Sequence, residues 1–571
     1  MKILSMTLLA AAIGMSATPL QSQEPESPAR PAPMTLEQLR KQRAELAVKP
    51  RRILFANDGI DMREDRHQLT VPSDSPEIQA LVEQDEKLTD PKEKLRHAFL
   101  LRRSIPLIGS QVDTILYNTI TGGIPVTQHL HTKLGSPVLD EYGQRIHDAG
   151  LCPLEMSVEF GHKHGKEVFW TFRVNSLHDG FGSGGDWLEG NKFKKENPGL
   201  MLAPGDSKRK KMGWTALNYE EPKVRELVKG LIEEVCQNYD IDGLDIDFMR
   251  FHYLFRNTFE GKPTTPEQRE ILTALMREIR ELTEREGLKR GRPILINARV
   301  ADSVPYNLDH GIDVETWMQE DLIDMVSMGG RMQLNPFETS IRVAKKHGIP
   351  VFSSIESPIG AAVARGNDGG APPVTLRRSL NALRGRAMEA LGAGADGLYI
   401  LNLWFFFDNE TATQEIGSKE TLLGKDKDYF ACWGLGETFG LPHAPYRGIE
   451  TLCPARPREI KSNEVVEVSF PMFDDLAGAR LAGKKPTLSL RLQFEGVDRP
   501  DALSLAVNGH LLELGKATMK DDWLEVSVPE DALTVGRNTF SAKSDTLPDA
   551  VLKDLILQVR YAGSESAASV P

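Results

Sequence analysis

Cysteine is scarce in this chain, long apolar runs are nearly absent, and positive charge is not in excess. There are four cysteines among 571 residues: Cys152, Cys236, Cys432 and Cys453. Their spacing matches no zinc-ligand pattern. Cys152 and Cys236 read as small buried hydrophobes. Cys432 and Cys453 are candidates for a disulfide if the chain is exported to an oxidising compartment. Beyond the N-terminus no stretch is long and apolar enough to span a bilayer, so no membrane insertion is expected. The net charge of −12, with no basic run interleaved with aromatics, argues against nucleic acid as a partner. The short run Lys208-Arg209-Lys210-Lys211 reads as a solvated loop. No G-x-G-x-x-G follows the first apolar strand, which weakens a dinucleotide-binding reading. No G-x-S-x-G elbow is present either. No cofactor is expected.

What is present begins with a leader. Residues 1–22 read as a signal peptide: Lys2 supplies positive charge, Ile3–Met15 is apolar, and small residues follow at Ser16 and Ala17. The expected location is secreted or periplasmic. Residues 23–50 are rich in Pro, Glu and Gln and are expected to be flexible. Residues 51–450 alternate short apolar strands with segments of 3.6-residue periodicity. The strands are Ile53–Asn57, Val112–Asn118, Val168–Arg173, Ile241–Asp247, Ile294–Arg299, Ile323–Met328, Pro350–Ile355 and Asp396–Asn402. Pro222–Gln237, Thr265–Glu286 and Leu376–Leu391 are expected helices. This pattern predicts an α/β fold, a (β/α)8 TIM barrel, with an open doubly wound sheet as the alternative. Residues 451–571 carry short alternating runs and an Asn508-Gly509 hairpin signal. They predict an all-β sandwich that caps the barrel or binds glycan.

The chemistry gathers where strands end. Tyr239–Phe251 reads Tyr-Asp-Ile-Asp-Gly-Leu-Asp-Ile-Asp-Phe-Met-Arg-Phe. Strand alternation puts Asp245 and Asp247 on one face, with Leu244 and Ile246 on the other. Paired acids at the C-terminal end of a barrel strand mark a catalytic mouth, and such pairs cleave glycosidic bonds. Glu356 continues the inward set of Phe352 and Ser354 on strand seven. A strand-four acid facing a strand-seven acid fits a retaining glycosidase, with the carboxyls about 5–5.5 Å apart. Substrate-binding candidates are Asn57 after strand one and Arg173, Asn175, His178 and Asp179 after strand three. Arg250, Asn297, Arg299, Asn402 and Trp404 complete the set, Trp404 as a plane for a sugar ring. His129-Leu130-His131 invites a zinc reading. The residues a metallohydrolase barrel would need on strands five, six and eight are instead Arg299, Gly329 and Asn402.

Three stretches carry a resemblance to secreted bacterial barrel proteins of the glycosyl-hydrolase-like family named after family 10 glycosidases: Trp214–Arg225, Tyr239–Phe251 and Gly311–Val326. The run Arg173-x-Asn175-x-x-His178-Asp179 is similar as well. The resemblance covers about residues 50–440 and implies a β/α barrel acting on glycans. Strand four also resembles the family 18 chitinase motif D-G-x-D-x-D-x-E, but Met249 stands where the acid would be. It resembles too the D-G-x-x-x-D of α-galactosidase-type barrels, whose nucleophile falls on Asp247. The combined expectation is a glycoside hydrolase acting on an oligo- or polysaccharide, with Asp247 leading, Glu356 as partner and Asp245 tuning it. The rivals are a glycan-binding barrel without catalysis and a metal-dependent hydrolase or deacetylase using His129 and His131.

Overall fold

The computed structural model describes residues 34–62, 75–120, 123–137, 139–177, 191–203, 213–330, 333–356, 376–377, 379–401, 409–434, 441–544 and 550–562. The expected signal peptide lies outside them. Strands β1 (Ile53–Asn57), β2 (Val112–Asn118), β3 (Glu167–Arg173), β4 (Gly243–Asp247), β5 (Leu295–Val300), β6 (Met325–Met328), β7 (Val351–Ser354) and β8 (Gly397–Leu401) pair in parallel and in order to close a barrel. The open-sheet alternative is therefore set aside. Alternation decides which residues face inward. Leu54, Ala56, Leu116, Phe169, Leu295, Met325, Phe352 and Tyr399 fill the interior. The opposite set, among them Phe55, Leu244, Ile246 and Ile296, packs in the outer layer.

The helices form for ordinary reasons. Pro222–Asn238 starts on proline, which lacks the N–H a first turn cannot use, and buries Val224, Leu227, Val228, Leu231, Ile232 and Val235. Pro266–Arg290 has a capping box between Thr265 and Gln268 and ends on Gly291 at φ 73°. That left-handed conformation costs glycine little.

Residues 36–47 correct the flexible-leader expectation. They form a helix, Leu36–Ala47, with a Thr35/Gln38 capping box and with Leu39, Arg43 and Ala47 buried at four-residue spacing. Arg40 and Arg43 pair with Glu284, and Arg43 also reaches Asp321 and Asp324. The apolar stripe is only two residues wide, so composition hid it.

The C-terminal region holds two antiparallel sheets, as expected for a sandwich. Its strands are β9 (Lys427–Phe430), β10 (Arg458–Ile460), β11 (Val465–Met472), β12 (Pro486–Glu495), β13 (Leu503–Val507), β14 (His510–Leu511), β15 (Thr518–Lys520), β16 (Trp523–Ser527), β17 (Gly536–Ser544) and β18 (Ala550–Tyr561). One sheet runs β10-β18-β12-β16-β15 with β9 added along β18, and the other runs β11-β17-β13-β14. Asn508 and Gly509, both at positive φ, join paired Val507 and His510 in a two-residue hairpin turn. β9 lies inside the span read as barrel, yet it belongs to this sheet. β17 escaped the sequence reading because Asn538, Ala542 and Ser544 occupy buried positions beside Phe540, which blurs the hydrophobic alternation. All four cysteines are buried free thiols. Cys432 and Cys453, the candidate disulfide, are among these free thiols.

Candidate active site at the barrel mouth

Toward the C-terminal ends of the strands the inward positions change from apolar to polar. The first polar layer holds Thr171, Asp245 and Asn297, in register across β3, β4 and β5; the layer above holds Arg173, Asp247 and Arg299. Asp245 is fully buried and accepts hydrogen bonds from Thr171 Oγ1 at 2.9 Å and Asn297 Nδ2 at 2.6 Å. Burial and the neighbouring Asp247 raise its carboxyl to about 7, against the opposing pull of those donors and Arg299.

Asp247 is fixed by three donors. Its Oδ1 accepts the backbone N–H of Met249 at 2.9 Å and of Arg250 at 3.1 Å, and its Oδ2 accepts Arg299 Nη1 at 3.1 Å. The turn after β4 thus folds back on its own last side chain. The other terminal nitrogen, Arg299 Nη2, pairs with Glu356 Oε1. Ser354 Oγ also donates to Glu356 Oε1, at 3.3 Å. The strand-four and strand-seven acids are therefore brought together across one guanidinium, which stacks over the Tyr399 ring at 4.5 Å. Gly330 closes over this group. A Cβ there would lie 2.8 Å from Met249 Cε and 3.8 Å from Glu356 Oε1.

Several expected sugar ligands have other duties. Asn297 spends its amide on Asp245 and accepts from Ser327 Oγ, so it positions an acid. Asn175 does not share the face of Thr171 and Arg173, because the alternation ends with β3 at Arg173. Its Nδ2 donates to the carbonyls of Leu217 and Tyr253, and its Oδ1 accepts Leu217 N–H. Both ends of that amide are committed to bracing a loop. Asn57 has the outward parity on β1. It bonds Asp61 Oδ2 and Gly59 N–H, a local turn rather than a sugar contact. The guanidinium of Arg250 lies over the Phe251 ring. Arg173 is buried at 3% exposure. His178, Asp179, Asn402 and Trp404 lie outside the described residues.

His129 is not at the mouth. It is wholly buried against Trp170 and Tyr239, with Nδ1 bonded to the hydroxyls of Thr119 and Thr127. Burial lowers its imidazole to about 3, helped by His147 and His131. The ring meets Trp170 and Tyr239 edge to face, in the wall behind β2 and β3. Among the described residues no group of three or more His, Cys, Asp or Glu is arranged to hold a metal.

The sequence reading missed Asp58 and Tyr399. Asp58 continues the inward set of Leu54 and Ala56 one residue past β1, and alternation carried through Asn57 would have found it. Burial opposes its charge, but Arg103, Arg173 and Arg250 outweigh that and bring the carboxyl down to about 2. Arg103 Nη1 lies 2.5 Å from it. Among the described residues, Tyr399 keeps a buried hydroxyl with no hydrogen-bond partner, near Arg299, Asp245, Asp247 and Arg173.

No family model and no curated protein matches the chain. Solved structures it is similar to include glycoside hydrolases. The glycoside hydrolase domain of PgaB (BpsB) from Bordetella bronchiseptica aligns at 11% identity and a TM-score of 0.38, covering 65% of this chain and 99% of that one. A maltogenic α-amylase, AmyB, from Thermotoga neapolitana aligns at 10% identity and 0.31, covering 85% and 98%. A GH36 α-galactosidase, AgaA, from Geobacillus stearothermophilus aligns at 10% and 0.34, covering 87% and 56%. At these values no residue role passes from them to this chain.

Proposed function

We propose that this chain is an exported glycoside hydrolase, with Asp247 as the carboxylate that attacks the anomeric carbon and Glu356 as the group that gives and takes the proton. One observation carries the reading: acids from β4 and β7 converge on a single guanidinium at the C-terminal end of a closed parallel barrel. Both carboxyls contact the same guanidinium through its two terminal nitrogens, and a carboxyl separation of about 5–5.5 Å would give a retaining course through a glycosyl-enzyme. Asp245 below, raised to about 7, holds its proton at mildly acidic pH, where a second negative charge does not build up beneath Asp247. Export rests on the apolar leader with Lys2 at its start.

The test is a panel of oligo- and polysaccharides incubated with wild type, Asp247→Asn and Glu356→Gln. A cleaved glycan whose turnover falls at least a hundredfold in both variants is expected, with the first product's anomeric configuration retained by NMR. Near wild-type turnover by Asp247→Asn would remove the assignment.

A second reading is a glycan-binding barrel without turnover. It is favoured by Met249, which packs with Ala301, Tyr306, Leu334 and Leu441 where the chitinase-like motif has its acid. Saturable glycan binding with no cleavage across the panel would select it.

A further inference from the structure

Each cation at the barrel mouth can be asked which anion it serves. Arg103 has Asp58, on which Arg250 also acts, and Arg299 has Asp247 and Glu356. Arg173 ends β3 between them, in register with Asp247. Among the described residues it donates no hydrogen bond and makes no ion pair, and its Nε is buried without a partner. Its charge reaches Asp58 and Tyr399 only across space. The residue is 3% exposed. Taking an arginine cation out of water with no counter-charge in contact costs several kcal/mol, and buried polar groups without partners are rare enough to need a cause. Sugar hydroxyls would satisfy N–H donors but leave the charge uncompensated. A carboxylate does both, because the planar guanidinium fork matches it with two parallel hydrogen bonds.

From this we infer that the site takes a glycan bearing a carboxylate, a uronic-acid-type sugar, and that Arg173 is the residue that receives the carboxylate beside Asp247. The inference rests on the proposed glycan site and deepens it by naming the substrate class.

The test separates binding from turnover. Binding of glucuronate and galacturonate is measured by calorimetry, against glucose, galactose and their 6-sulfates, on wild type, Arg173→Lys and Arg173→Met. In parallel, uronate-containing, neutral and sulfated oligosaccharides are screened for cleavage. The expected result is that a uronate binds at least tenfold more tightly than its neutral counterpart. Arg173→Met should abolish that preference, and Arg173→Lys should recover part of it. The melting temperature of Arg173→Met should equal or exceed that of wild type, since a buried unpaired cation has been removed. A merely structural arginine would lower it and leave the preference for uronates intact.

Preference for neutral sugars, preference for sulfate esters, or no binding of either uronate at millimolar concentration overturns the inference. Cleavage of neutral glycans undisturbed by Arg173→Met overturns it while leaving the hydrolase reading standing. Uronate binding lost in Arg173→Met with no cleavage of any glycan supports the inference and removes the hydrolase reading.

Discussion

Asp245 holds its proton more tightly in the folded chain than in the unfolded one, because burial and Asp247 raise its carboxyl from the ordinary 3.8 to about 7. Between about pH 4 and pH 7 the folded state therefore binds more proton there than the unfolded state. Stability falls as pH rises through that window, and the loss is complete above about 7. Asp245→Asn keeps the acceptor for Asn297 and loses the titration. Its stability relative to wild type should grow from pH 4 to pH 8, on the order of a few kcal/mol at about 1.4 kcal/mol per pKa unit. Denaturant unfolding at both pH values checks this, and parallel pH profiles for the two proteins would contradict it. Arg299 makes the opposite case. Arg299→Met leaves Asp247 and Glu356 facing each other with no cation between them. A loss of about 3–5 kcal/mol is expected from unpairing buried charges, together with at least a hundredfold loss of any turnover. A kinetic assay and a melt on the same preparation would show both.

At the scale of elements, backbone approach sets the limits. Helix Leu380–Gly392 lies so close to β9 that a Cβ on Gly385 would stand 2.2 Å from the carbonyl oxygen of Asp428. Backbone cannot swing aside as a flexible side chain can, so Gly385→Ala should cost about 1–3 kcal/mol by overpacking. Gly515→Ala, with nothing within 4 Å of the new carbon, is the control and should melt like wild type. Equal melting of the two variants would mean that the helix can shift outward. The barrel strands were legible in sequence because each is a short apolar run bounded by a helix of different period. The helix Leu36–Ala47 was not, because its buried face is Leu39, Arg43 and Ala47, and an arginine at a core position breaks the pattern that periodicity looks for.

Across the whole molecule, the barrel and the C-terminal sheets are joined by a wholly buried ion pair. Arg377, just before helix Leu380–Gly392, binds Asp554 of β18 through both terminal nitrogens at 2.8 Å, and its Nε donates to the carbonyl of Cys432. Asp554→Leu alone should cost about 3–5 kcal/mol, since it strands the Arg377 charge; pairing it with Arg377→Met should recover much of that loss. A double-mutant cycle by urea unfolding measures the coupling, and additive losses would show that the pair does not bind the two regions together. The sequence by itself determined the eight-strand alternation, the inward parity of Asp245, Asp247 and Glu356, and the Asn508-Gly509 turn. These follow from period and local backbone preference, which neighbours along the chain suffice to set. Only the tertiary structure decided that Arg299 contacts both Asp247 and Glu356, that Asn175 and Asn297 are struts, that Asp58 completes the mouth, and that Arg173 is left without a partner among the described residues. Closing the barrel brings strands separated by fifty residues or more into contact, and which charge meets which is settled by that closure.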